Sequence, residues 1–305
     1  MKNRCPTFST TLFDVFYLYP MSLMNVDRFS VAKTYYPLRM EDSKASTCFE
    51  RRCALMKKYL IEEMTAQEMA EALKRVDTVL IPLGTIEQHG PHLPVGTDIL
   101  IPIEVAKKVA EKANVLIAPP IYYGNSLSMQ DMNGVLTINP TTLSDLLLDL
   151  CKSFAKRGFK KIVFINGHCG NGSVLDFTGQ RARIETGTKI IRIDWWLIVA
   201  EEMSEICEAG VMHADEGETS MMLACRPELV DMKKAVKDET NIEMAKKLTG
   251  GKPKNMPHAY RPFTVWTKTG VMGDATKATK QKGEKILDAV VNNIVDFLNQ
   301  VDELP

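Results

Sequence analysis

Short apolar segments alternate with longer amphipathic ones from residue 56 onward, and this alternation constrains the fold more than any other feature of the chain. The short segments predict strands at residues 78–83, 115–118, 161–165 and 189–193. Helices are expected near residues 66–75, 102–112 and 143–157 and between the last two strands, and a Thr65–Glu68 capping box precedes the first of them. A further helix is expected at the C-terminus, where apolar residues recur at helical spacing: Ile286, Val290, Ile294 and Phe297. This order predicts an α/β fold with a mostly parallel, doubly wound sheet and helices on both faces.

Charge and cysteine usage exclude several classes of protein. The 38 Lys and Arg residues balance 38 Asp and Glu residues, which removes the usual electrostatic reason to bind nucleic acid or an anionic membrane. No apolar run reaches the length of about 18 residues that a membrane-spanning helix needs. The seven cysteines are scattered and form no CxxC pair, which argues against a disulfide framework and fits a reducing cytoplasm.

The first 55 residues lack sustained helical or strand periodicity, and the composition changes at Met56. We expect residues 1–55 to be an N-terminal extension of unknown role, which is not part of the natural product if translation begins at Met56. Residues 56–305 are then the catalytic domain. The length of this segment suits one α/β domain with a full hydrophobic core.

The first polar run, residues 84–98, begins where the first predicted strand ends, at the edge where open α/β sheets bind ligands. Glu87 and His89 point to the same side if the backbone between them is extended. Asp98 follows just before a predicted helix, and the glycines and prolines between fold the loop back. A Glu, a His and an Asp that converge form a ligand set for a divalent metal. A solvated loop with Asp98 as a helix N-cap explains this run, taken alone, about equally well.

The second polar run, residues 166–172, follows the third predicted strand and places His168 among small residues. The competing interpretation is a plain strand-to-helix turn in which His168 is incidental. That interpretation weakens because two separate strands end in histidine-bearing loops at one edge of the sheet. Cys169 is expected to be a small buried thiol, since adjacent residues rarely form a nucleophile–base pair.

The third polar run, residues 213–220, leads into an apolar segment and is typical of a helix start. That explanation accounts for Asp215 and Glu216 but not for His213. Glu218 can face the same cleft as His168, and a carboxylate near a histidine is the pairing that acid–base catalysis needs.

Weaker candidates carry two interpretations each. Trp195 and Trp196 either line a pocket or pack in the core. Residues 270–274 either border the site or form only a turn before the last helix. His92 is expected to support the first run, and His258 to lie on the surface in a Pro- and Lys-rich segment.

Together the three runs resemble the creatininase (creatinine amidohydrolase) family. The resembling residues are Glu87-Gln88-His89-Gly90-Pro91-His92-Leu93-Pro94 with Thr97-Asp98, Asn166-Gly167-His168 with Gly170-Asn171, and His213 with Glu216, Glu218, Thr219 and Ser220. The stretch from Gly270 to Asp274 also looks like a family loop. The resemblance runs from about Met56 to the C-terminus and leaves residues 1–55 outside.

The resemblance implies a three-layer α/β/α sandwich with a two-metal site, assembled as a homo-oligomer that is usually a hexamer. Carried over by position, Glu87 and His168 bind one metal, His89 binds the other, and Asp98 bridges both. Creatinine-hydrolysing members complete the second metal with a Glu at the position of Gly170, so this ligand is missing here. Glu218 is the expected substitute, and His213 is the expected proton-transferring group.

A second departure from the family pattern concerns the substrate. After Tyr123-Gly124-Asn125-Ser126, many members have an acidic residue and a His, then an aromatic-Pro-Gly sequence. This chain has Ser128-Met129 and then Met132-Asn133-Gly134 in what looks like the pocket wall, which puts creatinine in doubt. Other members deformylate a pyrimidine intermediate, trim a cofactor-precursor peptide or open an oxidised inositol ring.

The sequence therefore predicts a metal-dependent hydrolase with a small-molecule substrate. Water activated by two divalent cations (Zn²⁺, Mn²⁺ or Fe²⁺) is expected to attack a carbonyl of a small cyclic amide or similar polar ring, while His213 passes the proton on. Two alternatives stay open at this stage. One is a ring-opening C–C hydrolase of the 3-dehydro-scyllo-inosose hydrolase type, and the other is a catalytically silent metal-binding scaffold.

Overall fold

The computed structural model describes residues 58–209, 212–240 and 261–303. The predicted N-terminal extension and His258 lie outside these residues. Lys57–Pro305 form one compact unit. Within the described residues, no helix combines the length and the apolar character needed to cross a bilayer.

Four parallel strands form the central sheet in the order β2-β1-β3-β4. The strands are β1 (Thr78–Leu83), β2 (Leu116–Ile117), β3 (Lys161–Asn166) and β4 (Lys189–Asp194). Leu83 of β1 pairs with Asn166 of β3, which in turn pairs with Asp194 of β4, so these three strands end level with one another. All four strands were predicted, although β2 is shorter than expected because only two residues complete its ladder with β1.

Helices cover both faces of this sheet. They are α1 (Ala66–Ala72), α2 (Thr97–Lys112), α3 (Pro140–Lys156), α4 (Gly172–Thr186), α5 (Ala200–Ile206), α6 (Glu216–Cys225) and α7 (Lys280–Gln300). A separate antiparallel pair joins β5 (Lys237–Asp238) to β6 (Gly273–Asp274).

The alternation of side chains along β1 divides the interior into two cores. Leu80 packs in one core with residues of α2, α6 and α7, including Ile286 and Val290. Val79 and Ile81 point the other way and pack with α3 and α4. A buried parallel sheet with helices on both faces is the predicted three-layer α/β/α sandwich.

Two helix boundaries show where pattern and structure differ. The capping box of Thr65 and Glu68 is present as predicted, but α1 ends at Ala72, before residue 75. Helix α2 begins at Thr97 rather than at Pro102, because Pro102 is accommodated within the helix. Asp98 is therefore a buried residue of the first helical turn and not the N-cap, a position held by Gly96.

Candidate metal centre

Each of the three predicted polar runs contributes to one site at the carboxyl edge of the sheet. Glu87 and His89 follow β1, His168 follows β3, and Asp98 lies in the first turn of α2. His213 precedes α6, and Glu218 lies in its first turn. Edges of this kind bind ligands in open α/β sheets because the connecting loops open there.

Asp98 reaches the site because the start of α2 touches the ends of two strands. A Cβ at Gly84 would lie 2.3 Å from the Asp98 carbonyl oxygen, and one at Gly167 would lie 1.8 Å from the same atom. Only glycine fits at either position. The Asp98 carbonyl is free for this contact because Pro102, four residues on, has no N–H to donate to it.

The first group of converging atoms belongs to Glu87, Asp98 and His168. His168 Nδ1 lies 3.2 Å from Glu87 Oε1 and 2.9 Å from Asp98 Oδ2. All three residues are buried.

The second group belongs to His89, Asp98 and Glu218. His89 Nε2 lies 2.9 Å from Asp98 Oδ1 and 3.7 Å from Glu218 Oε2. Asp98 thus offers one carboxylate oxygen to each group. The structure brings together all five residues predicted as ligands.

Hydrogen bonds to main-chain carbonyls fix the orientation of the His89 and His168 rings. Nε2 of His168 donates to the Asn125 carbonyl at 3.0 Å, so Nδ1 is the ring nitrogen that faces Glu87 and Asp98. Nδ1 of His89 donates to the Glu87 carbonyl at 3.1 Å, so Nε2 is the ring nitrogen that faces Asp98. A metal-binding histidine typically donates its other ring N–H in this way.

The buried carboxylates of the two groups favour positive charge at this site. Burial opposes protonation of His89, but the Asp98 and Glu218 carboxylates outweigh it and raise the pKa of His89 well above its usual range. Burial likewise opposes protonation of His168, whose pKa is raised by Glu87 and Asp98. Burial alone would raise the pKa of Asp98, yet the two rings hold the pKa of this carboxyl well below its usual range.

Unpaired polar atoms show that these residues suit a bound cation. Glu87 Oε1, His89 Nε2 and Asp98 Oδ2 are buried and have no hydrogen-bond partner among the described residues. Buried polar atoms are normally paired, and acceptors that converge without a donor fit a cation. Carboxylate and imidazole ligands in this mixture suit a divalent metal ion.

His213 lies at the rim of the same group. Its Nε2 donates to the Gln88 carbonyl at 2.9 Å, and its Nδ1 lies 3.8 Å from Glu87 Oε1. Its ring stands 4.4 Å from that of His89, and a third converging set consists of Glu87, His89 and His213. Because Nε2 is the donor to Gln88, Nδ1 is the ring nitrogen that faces the centre.

Glu218 also shapes the backbone next to His213. Its Oε2 accepts the Ala214 N–H. Among the described residues, Ala214 is the only non-glycine with positive φ, at +50°. Backbone strain of this kind persists where surrounding contacts impose it, and it is concentrated at functional sites. Asp215 caps α6, and burial together with Glu218 raises the pKa of Asp215 to about 7.

At Gly170, where the family resemblance led us to note a missing ligand, the structure leaves no room for a side chain. A Cβ on Gly170 would lie 2.4 Å from the Asn125 carbonyl oxygen and 2.4 Å from His168 Nε2. Glu218, the residue predicted to substitute for that ligand, belongs to the second group with His89 and Asp98.

The remaining candidates from the sequence are placed as follows. His92 is buried and shares a 2.8 Å hydrogen bond with Thr219 Oγ1, while burial and nearby His89 lower the pKa of His92 to about 4. The His92 ring thus joins the first run to α6 through Thr219. Cys169 was expected to be buried but is exposed, because the turn after His168 points it into the cavity. Glu216 is buried and paired with Lys282 of α7 at 2.5 Å.

A cavity of about 330 Å³ opens above the converging carboxylates. Its apolar wall includes Trp195, Trp196, Phe263 and Met272. Trp195 therefore satisfies both of its predicted interpretations, since it is also almost fully buried. Met272 brings the 270–274 loop to the site, and Ser128 and Met129 form part of the wall as expected, whereas residues 132–134 do not line it.

The sequence prediction missed Ser126, which holds the Glu87 carboxylate. Ser126 Oγ donates to Glu87 Oε2 at 2.6 Å and accepts from Thr85 Oγ1 at 2.9 Å. The available signal was the small polar run Gly124-Asn125-Ser126, which lies between β2 and α3. Phe263 was also missed, because no apolar periodicity marks its segment.

Comparison with known proteins identifies the family. The family model described as "Creatininase: Creatinine amidohydrolase" matches residues 62–298. The chain belongs to the creatininase family. Because the matched relatives are hydrolases and the site holds metal-ligand groups, the chain is a metal-dependent hydrolase.

Relatives in this family carry out different reactions. The chain is 25% identical over 272 residues to a creatinine amidohydrolase of Pseudomonas putida, covering 81% of this chain and 98% of that protein. It is 28% identical over 267 residues to a 3-dehydro-scyllo-inosose hydrolase of Thermotoga maritima, with 79% and 83% covered. It is 33% identical over 228 residues to a mycofactocin precursor peptide peptidase of Mycobacterium ulcerans, with 72% and 83% covered.

Solved structures show the same fold. A mutant creatininase of Zn-Zn type superposes with a TM-score of 0.70 at 24% identity, covering 82% of this chain and all of that one. A manganese form of creatininase gives a TM-score of 0.68 at 24% identity with the same coverage. At this identity the likeness establishes the creatininase-like α/β sandwich and nothing finer.

Proposed function

We propose that the protein uses two divalent cations, Zn²⁺ or Mn²⁺, to hydrolyse an amide bond in a small cyclic amide or similar polar ring. Glu87, His168 and Asp98 hold one cation, and His89, Glu218 and Asp98 hold the other. The observation that carries the proposal is the pair of buried ligand groups that share the two oxygens of Asp98. Solved creatininases in zinc and manganese forms support this choice of metals.

When bound, the cations supply Lewis-acid activation of water and of the substrate carbonyl. The chain's own residues set the geometry and the proton path. Ser126 fixes one oxygen of Glu87 and leaves the other directed at the centre. Nδ1 of His213 faces that oxygen with a free lone pair, so it can take a proton and return it to the leaving nitrogen.

The cavity supports a small substrate that carries a polar ring. Its volume of about 330 Å³ lies at the lower end of the range for ligand pockets. The flat rings of Trp195 and Trp196 in the wall suit a planar ligand and exclude water from the reacting bond.

A second candidate reaction is hydrolytic cleavage of a C–C bond beside a ketone in a carbocyclic sugar derivative. The observation that favours it is the 28% identity to the Thermotoga maritima hydrolase over most of both chains. A panel of creatinine and other lactams, an oxidised inositol and short peptides separates the candidates. Turnover of a lactam supports the first proposal, and turnover of the inositol alone replaces it with the second.

The metal assignment is tested by Asp98→Ala with Asp149→Ala, an exposed carboxylate of α3, as the matched control. Purified protein is loaded with Zn²⁺ or Mn²⁺, dialysed and analysed for metal per chain. We expect Asp98→Ala to lose both cations and turnover together, and the control to keep both. If Asp98→Ala kept two ions per chain, the bridging assignment would be wrong.

We further propose a cytoplasmic homo-oligomer. The described cysteines (Cys151, Cys169, Cys207 and Cys225) are all free, which suits a reducing compartment. Phe177 and Ile184 of α4 are 59% and 73% exposed, and such apolar side chains favour burial against another subunit. Light scattering coupled to size-exclusion chromatography tests the assembly, and a monomer at micromolar concentration would contradict it.

A further inference from the structure

The ring of His213 is held by a segment that lies far from it in sequence. Nε2 of His213 donates to the main-chain carbonyl of Gln88. The side chain of Gln88 in turn donates from Nε2 to the Thr269 carbonyl at 2.8 Å. The side-chain amide of Gln88 thus connects the residue that accepts the hydrogen bond from His213 to the loop at residues 267–272.

Gly270 shows how tightly Gln88 fits against this loop. Its φ is +86°, and a Cβ there would lie only 1.4 Å from Gln88 Oε1. Two residues on, the Met272 N–H donates to the His213 carbonyl at 2.8 Å. The loop therefore contacts His213 twice, through Gln88 at the ring and through Met272 at the backbone.

Asp238 of β5 organises the loop through hydrogen bonds to its backbone and side chains. Its Oδ2 accepts from Thr267 Oγ1 at 3.0 Å, Lys268 N at 2.8 Å, Thr269 N at 3.1 Å and Thr269 Oγ1 at 3.0 Å. Its Oδ1 accepts from the Thr240 N–H at 3.0 Å. One buried carboxylate thus fixes Thr269, and the carbonyl of this residue accepts the hydrogen bond from the Gln88 side chain.

We propose that Asp238 and Gln88 are positioning residues that determine which ring nitrogen of His213 is free to accept the proton. The inference rests on the proposed role of His213. Asp238 fixes the 267–272 loop, the loop fixes Gln88, and the Gln88 carbonyl keeps the proton on Nε2 so that Nδ1 faces Glu87. Neither residue touches the cavity, and Gln88 acts through its backbone carbonyl.

The physical reason is that the two neutral forms of imidazole lie close in free energy. A hydrogen bond to one nitrogen selects the form that carries a proton there. A charge-assisted network such as the one around Asp238 holds its members more firmly than single neutral hydrogen bonds do. Displacement of the Gln88 carbonyl therefore removes the preference for the Nε2–H form of the imidazole while His213 itself stays in place.

The test uses two conservative variants, Asp238→Asn and Gln88→Met, in the full-length protein after incubation with Zn²⁺, whether or not the ion is retained. Asp238→Asn removes the negative charge and puts an NH2 group in place of one of the two acceptor oxygens, and Gln88→Met keeps the side-chain length but removes the donor to Thr269. Asp231→Asn is the matched control, because Asp231 also caps a short turn by accepting from the Lys233 N–H. Nitrogen-15 NMR of histidine-labelled protein reports which ring nitrogen of His213 carries hydrogen.

We expect the wild type and the control to hold His213 as the Nε2–H form. In both test variants the ratio of Nε2–H to Nδ1–H should fall about fivefold, as loss of one hydrogen bond predicts. On the substrate that the panel identifies, kcat should fall by about the same factor while KM stays within about twofold.

An unchanged ratio in both folded variants would overturn the inference. A change in Asp238→Asn alone would overturn the route through Gln88. These outcomes are separate from failure of the proposed function, because absence of bound metal and of turnover in the wild type would leave the ring-nitrogen measurement intact. Thermal unfolding of each variant verifies that the comparison is between folded proteins.

Discussion

Gly167→Ala tests the close approach of α2 to the end of β3. An alanine Cβ would lie 1.8 Å from the Asp98 carbonyl oxygen and 2.6 Å from Pro102 Cγ. The first contact is with backbone, so it cannot be relieved by rotation of a side chain. Since such contacts essentially never fall below 3.0 Å, α2 and the end of β3 must separate by about 1.2 Å.

That displacement acts on the shared carboxylate. The distance of 2.9 Å between Asp98 Oδ2 and His168 Nδ1 would grow to about 4 Å, so one cation could no longer be held by both residues. Misplacement of about 1 Å costs roughly 100-fold in rate when it disturbs a catalytic arrangement. Overpacking of this kind also lowers the free energy of unfolding by about 1–3 kcal/mol.

The assay combines metal content per chain, urea unfolding and turnover of the same preparation. The matched control is Gly179→Ala in the interior of α4, where the nearest atom, Ile190 Cγ2, lies at an ordinary 3.5 Å. Because alanine favours a helix, this control should gain about 0.5–1 kcal/mol in stability and keep its metal. A Gly167→Ala protein that binds two ions and turns over at the wild-type rate would refute the reasoning.

Three further predictions follow from other contacts. Glu216→Gln should lower the free energy of unfolding, measured by urea titration, by about 1–3 kcal/mol, because Lys282 then loses a buried carboxylate partner. An unchanged midpoint of the urea transition would contradict a stabilising role of the Glu216–Lys282 ion pair. Burial opposes the charge on Asp238, but the hydrogen bonds to its carboxylate hold the pKa of Asp238 below the usual range. The charged carboxylate therefore stabilises the fold above the unfolded-state pKa of about 3.9, and this stabilisation is lost as the pH falls below that value. Asp238→Asn should therefore flatten the acid side of the stability–pH curve, and an equally steep curve would count against it. Among the described cysteines, a thiol-alkylating reagent should label exposed Cys169 first, as peptide mapping can show, and this labelling should slow turnover. Burial raises the pKa of Cys151 to about 12 and protects this thiol, so faster labelling of Cys151 would refute the order.

The sequence was most informative where local pattern and function coincide. Apolar periodicity located the four sheet strands, and the polar runs that follow β1 and β3 carry residues of both ligand groups. Each run begins where a buried strand ends, which is a local signal. The position of Glu218 also agrees with the expected substitute for the ligand absent at Gly170, although its metal-binding role stays a proposal.

Features that depend on contacts between distant segments were not predictable. The helix predicted near residues 102–112 begins earlier, at Thr97, and Asp98 in its first turn packs on two strand ends. Ser126 and Phe263 join the site only through tertiary contacts, so nothing in their own periodicity marked them. The exposure of Cys169 depends likewise on the turn that follows His168.

The hydrogen bonds of the three histidine rings at the centre affect which substitutions the protein can tolerate. Each ring donates to a main-chain oxygen, at Glu87, Gln88 or Asn125. Every amino acid supplies such an oxygen, so no single codon change deletes an acceptor, and only a shift in the path of the backbone can withdraw it. Positions in the cavity wall such as Met129 can therefore change during divergence to new substrates while the orientation of the rings is inherited with the fold.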